Sequence, residues 1–93
     1  MGVLAMRCKY IFEKMELDGE YIAVPVGEGT AELHAVLNVN EEAMRILELL
    51  QEETTEQKIT SQLMLEYEGT EEEIFPLVHL YIDQLRKEGM IIE

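Results

Sequence analysis

The chain has 93 residues, 47% of them hydrophobic and 29% charged, with 20 Asp and Glu against 7 Lys and Arg for a formal net charge of −13. That length is one domain's worth, and the mixture is that of a folded domain rather than a disordered one. The charge excludes a nucleic-acid phosphate backbone and disfavours an anionic membrane, because either partner needs clustered Lys and Arg.

The first residues, MGVLAMRCKY, hold no long apolar run, so no signal peptide or membrane span is expected. Cys8 is the one cysteine. It has no partner for a disulfide framework, which fits a reducing, cytoplasmic setting. Residues from about Lys9 to Val26 read as a β-hairpin around Asp18-Gly19, a pair suited to a type I′ turn. That register sets Met15 opposite Ile22, Glu13 opposite Val24 and Ile11 opposite Val26. Ile11, Met15, Ile22 and Val24 then share one face. Pro25 cannot donate to a ladder and belongs near a strand end. Gly27-Glu28-Gly29 forms the next turn. A third strand, about Thr30 to Asn38, alternates Ala31, Leu33, Ala35 and Leu37 with Glu32, His34, Val36 and Asn38.

Near Asn40 the apolar pattern changes to helical spacing. Residues 1–40 carry 6 acidic and 3 basic side chains; residues 41–93 carry 14 and 4. Asn40 is an N-cap candidate for a first helix, with Glu41 and Glu42 where the helix dipole favours negative charge. Ala43, Ile46, Leu47 and Leu50 form its apolar stripe. Thr54 with Gln57 has capping-box spacing for a second helix, about Glu56 to Tyr67, with Ile59, Leu63 and Tyr67 inward. Gly69 ends it. Thr70 with Glu73 repeats the capping box for a third helix, to about Glu88. Arg86 and Lys87 complement its C-terminal dipole, and Gly89 stops it. Pro76 removes a donor about two turns in, so a bend or a later start is expected. Three antiparallel strands followed by three helices make an α+β domain spanning residues 1–93, with the sheet at about 7–38 and the helices at about 41–88.

This order resembles the PqqD-like domains, the precursor-peptide recognition elements of pathways that modify ribosomally made peptides. The likeness is carried by Gly19-Glu20-Tyr21-Ile22-Ala23-Val24-Pro25, by Leu37-Asn38-Val39-Asn40, and by Ile46-Leu47-Glu48-Leu49-Leu50. Glu66-Tyr67 and Leu85-Arg86-Lys87-Glu88-Gly89-Met90-Ile91 complete it. It runs from about residue 7 to 92. Leu47 stands where the family often has Trp, and Gln51-Glu52-Glu53 replaces a usual Gly.

The resemblance implies a winged-helix-like fold and a non-catalytic chaperone. Such a protein captures the leader of a precursor peptide as an added strand and presents it to a modifying enzyme, often a radical SAM protein. Backbone hydrogen bonds supply affinity in that mode, and side-chain pockets supply selection. Carried onto this sequence, the pairing strand is Leu33, His34, Ala35, Val36 and Leu37. The groove wall is Leu77, Leu80, Tyr81 and Gln84 of the third helix. The residues themselves offer an unusually broad apolar arc on that helix. Ile74, Val78, Tyr81 and Leu85 form the core stripe, flanked by Leu77 and Leu80 on one side and by Phe75 and Ile82 on the other. Both flanks buried in a small core is the competing reading.

Other signals reduce to structure. Cys8, His34 and His79 match no metal-ligand spacing, and no metal or cofactor is expected. His34 reads as an exposed strand residue within reach of a bound peptide. Glu71-Glu72-Glu73 is accounted for by a helix N-terminus. Gly27-Glu28-Gly29 is too short for a phosphate loop. No nucleophile comes with a base and an orienting group, so an enzyme is not expected. Two alternatives stay open at this point. One is a DNA-binding winged helix, opposed by the charge. The other is an interaction or oligomerisation module without peptide cargo, in which the third strand pairs with its copy in a homodimer.

Overall fold

The computed structural model describes residues 5–27 and 37–93. The element order is β1 (Arg7–Cys8), β2 (Ile11–Leu17), β3 (Glu20–Val26), β4 (Leu37–Val39), α1 (Glu41–Leu49), α2 (Glu56–Glu66), α3 (Glu71–Lys87) and β5 (Ile91–Ile92). It is an α+β fold of the winged-helix type, with the sheet before the helices.

The β2–β3 hairpin has the register expected from its turn: Ile11 faces Val26, Glu13 faces Val24 and Met15 faces Ile22. Asp18 and Gly19 take φ of 52° and 80°, which is what a type I′ turn demands at its two central positions. The shared face of Ile11, Met15, Ile22 and Val24 points away from the helices. Ile11 is 61% exposed, whereas its neighbour Phe12 is 7% exposed and joins Ala23 in the core. The hairpin begins at Ile11 rather than Lys9, because the Lys9 N–H donates to the Met90 carbonyl (2.7 Å) and draws the chain out of the ladder.

β4 pairs antiparallel with β3, Ala23 opposite Leu37 and Tyr21 opposite Val39. The expected third strand thus continues one residue past Asn38. Its earlier part, including Leu33, His34, Ala35 and Val36, lies outside the described residues. The sheet order is β2–β3–β4, so β4 is an edge strand among the described residues. A second ladder was not foreseen: β1 pairs with β5, Cys8 opposite Ile91, which ties the two ends of the chain together.

Asn40 caps α1 by accepting from the Ala43 N–H at 2.8 Å. The cap of α2 is Thr55, not Thr54. Thr54 and Met6 exchange two backbone hydrogen bonds of 2.8 Å, so Thr54 is committed to a bridge. The helix starts at Glu56 as expected, with the Thr55 hydroxyl accepting from the Lys58 N–H. Thr70 and Glu73 form the expected capping box. The later start considered for α3 does not occur: the helix runs unbroken from Glu71 through Pro76. The carbonyl that Pro76 leaves without an N–H partner belongs to exposed Glu72, where water can serve it.

The core joins all layers. α1 supplies Met44, Ile46 and Leu47, and its C-cap is Leu50; α2 supplies Ile59 and Leu63; Met6, Cys8 and Met90 add to it. On α3 the buried row is Ile74, Val78, Ile82 and Leu85. Ile82 replaces Tyr81 in the expected stripe because the row steps by four from Ile74 through Val78 to Ile82, oblique to the helix axis, before a step of three to Leu85. α3 packs on α2, while α1 touches β2, β3 and β4.

Candidate functional site

One flank of α3 stays uncovered. Leu77 is 66% exposed and Leu80 61% exposed, although both are large and apolar. The other flank is not spare, since Ile82 is fully buried. The arc read from the sequence therefore divides: one side core, one side surface.

Leu77 and Leu80 form one wall of a cleft of about 510 Å³, within the range of pockets that hold ligands. Tyr81, half-buried, and Gln84 continue that wall along the helix. Ala43 and Ile46 of α1 face them, and Leu63 and Tyr67 close the cleft at the end of α2. Asn40, which directly follows β4, also lines it, so the cleft abuts the end of the edge strand. From Leu77 to Gln84 the wall is roughly 10 Å long at the helical rise per residue, room for about three residues of extended chain.

The four expected α3 residues are thus brought together. Of the five expected strand residues, Leu37 is described and is half-buried in β4. Sequence reasoning missed the opposite wall. Ala43, Ile46 and Tyr67 were assigned wholly to the core, because their helical spacing marks an inward face but does not show that the face outruns what covers it.

The cleft is apolar at its base and acidic at its rim, where Glu42 and Glu68 line it. Burial, with smaller contributions from Cys8 and Glu88, pushes the Tyr81 phenol up to about 12. Tyr81 therefore stays neutral at ordinary pH and presents an uncharged aromatic surface. The basic residues of α3 are engaged elsewhere. Arg86 pairs with Glu93 at 2.5 Å and lies 3.8 Å from Glu56, and Lys87 pairs with Asp83. A helix so arranged has no cationic face to set in a DNA groove.

His79 is held by Glu56, Nδ1 to Oε1 at 2.8 Å, and stacks on Phe75. Cys8 is buried, and burial raises its thiol pKa. Among the described residues no group of His, Cys, Asp and Glu could hold a metal ion. Nor is any described helix long and apolar enough to cross a membrane.

The family model described as "Coenzyme PQQ synthesis protein D (PqqD)" matches residues 17–91. No curated protein matches the chain. Among solved structures, one described as "TbiB1 in Complex with the TbiA(beta) Leader Peptide" superposes with a TM-score of 0.65 at 14% identity, covering 91% of this chain and 93% of that one. At that identity the likeness is one of fold.

Proposed function

Because the chain belongs to the PqqD family, we propose that it is a non-catalytic peptide chaperone: it captures the leader of a ribosomal precursor peptide and presents it to a modifying enzyme of the radical SAM type in the cytoplasm. The leader adds as a strand to the edge that β4 presents among the described residues, and Leu33, His34, Ala35 and Val36 are proposed to extend that pairing. Its side chains enter the cleft against Leu77, Leu80, Tyr81 and Gln84.

The observation that carries this reading is that an edge strand ends, at Asn40, on the cleft walled by an uncovered apolar helix flank. Edge strands offer unpaired backbone N–H and C=O groups, and an extended peptide satisfies them. Large exposed leucines at the same place supply pockets for alternate side chains. The solved neighbour of the same fold was captured with a leader peptide, which is consistent with that use of the architecture.

The test is a binding titration of candidate leader peptides against the wild-type chain and a Leu77→Asp/Leu80→Asp variant. Each exposed leucine can be replaced without opening the core. Loss of binding with retained thermal stability is expected. Unchanged affinity in the variant places the peptide elsewhere.

A further inference from the structure

The rim of the cleft points to a chemical class of peptide. Among the described residues that line it, Glu42 and Glu68 are charged and none is Lys, Arg or His. The nearest cation on α1, Arg45, is turned away: both its Nε and Nη2 donate to Glu66, and it lines a different depression with Lys14 and Glu48.

The backbone adds to this polarity. The C-terminal end of α2 points at the mouth of the cleft through Tyr67 and Glu68. A helix C-terminus carries about half a negative charge, usually matched by Lys or Arg in the last turn. The last turn of α2 has no basic residue of its own, and the cation that reaches it, Arg45, is taken up by Glu66. Glu42 sits at the N-terminus of α1, whose dipole offsets part of its charge. The Tyr67 phenol lies among carboxylates of both helices, with Arg45 acting against them. Its pKa is raised first by burial, then by Glu41, Glu42 and Glu66.

We propose that this cleft selects peptides in which an apolar anchor is flanked by Lys or Arg, with a cation seated at the Tyr67–Glu68 end. The inference rests on the peptide-binding reading above and adds selection to it. The anchor is held by Leu77, Leu80 and Tyr81. The flanking cation answers Glu68, with Glu42 on the same rim. Acidic flanks are rejected by the same charges, so the rim discriminates in both directions.

A random peptide library displayed on phage and selected against the immobilised full-length chain tests this without knowledge of the natural ligand. Parallel selections use Glu42→Lys/Glu68→Lys, the milder Glu42→Gln/Glu68→Gln, and a control, Glu52→Lys/Glu53→Lys, which makes the same charge change outside the cleft. Exposed ion pairs are individually weak, so Lys and Arg next to apolar anchors should be enriched roughly threefold, and less at high salt. The enrichment should vanish in both cleft variants and persist in the control. Apolar peptides recovered without cationic bias, or a bias lost equally in the control, overturn charge selection by the cleft and leave peptide binding standing. Recovery of no peptide above background overturns both.

Discussion

The Arg45 guanidinium on α1 grips the Glu66 carboxylate at the end of α2 in a forked pair, Nε to Oε1 and Nη2 to Oε2, each 2.8 Å. Gln62 adds a further hydrogen bond to the same carboxylate at 2.7 Å. The clamp joins the two helices that supply the wall of the cleft opposite α3. It therefore bears on the spacing of Ile46 and Tyr67 as well as on stability.

That clamp has a pH signature. The Arg45 hydrogen bonds, followed by that from Gln62, lower the Glu66 pKa from the usual 4.5 to about 2. A carboxyl depressed in the folded state stabilises fully above its unfolded value, and the contribution fades as pH falls through the folded one. Urea midpoints of wild type and Glu66→Gln should differ in favour of wild type at neutral pH. The gap should close between pH 4.5 and about 2. A gap independent of pH contradicts the pairing.

Tyr81 carries the opposite signature at the alkaline end. With its phenol raised to about 12 from 10 by burial, the folded state holds that proton more tightly than the unfolded chain does. Stability from this group is present below pH 10 and is lost as pH rises toward 12. Absorbance titration near 295 nm should show a late tyrosine step, missing in Tyr81→Phe. It should merge with the ordinary tyrosines in denaturant.

Adjacent residues of β2 should behave oppositely. Phe12 is buried against the helices, so Phe12→Ala should cost about 3–5 kcal/mol. Ile11→Lys replaces an outward side chain and should change stability by about 0.5 kcal/mol or less. Chemical denaturation of both variants checks which face of the hairpin is inside. A one-residue register slip would reverse the two results.

Removing the cap of α3 should be felt at the cleft. The Thr70 hydroxyl accepts from the Glu73 N–H, and the Glu73 carboxylate accepts from the Thr70 N–H. Thr70→Ala should cost about 1 kcal/mol. Amide exchange should quicken in the first turns of α3, ahead of Leu77.

Much of this architecture was legible in the residues, for local reasons. Asp18-Gly19 fixes the hairpin register because few residue pairs tolerate positive φ twice. Asn40 and the Thr70–Glu73 pair mark helix starts because orphan N–H groups need acceptors. The Leu77 and Leu80 flank was legible as apolar excess. Contacts distant in sequence were not. Cys8 opposite Ile91 leaves no short-range pattern, and the bridge from Met6 to Thr54 displaced the α2 cap to Thr55. Ala43, Ile46 and Tyr67 looked like ordinary core residues, because a cleft between helices depends on how far apart the helices stand.

The central claim is that a peptide adds to the edge of β4 beside α3. Amide chemical shifts of the isotope-labelled chain, followed during titration with a candidate leader peptide, test it most directly. Shifts should concentrate at Leu37–Val39 and at Leu77–Gln84. Shifts confined to the β2–β3 hairpin would contradict the account.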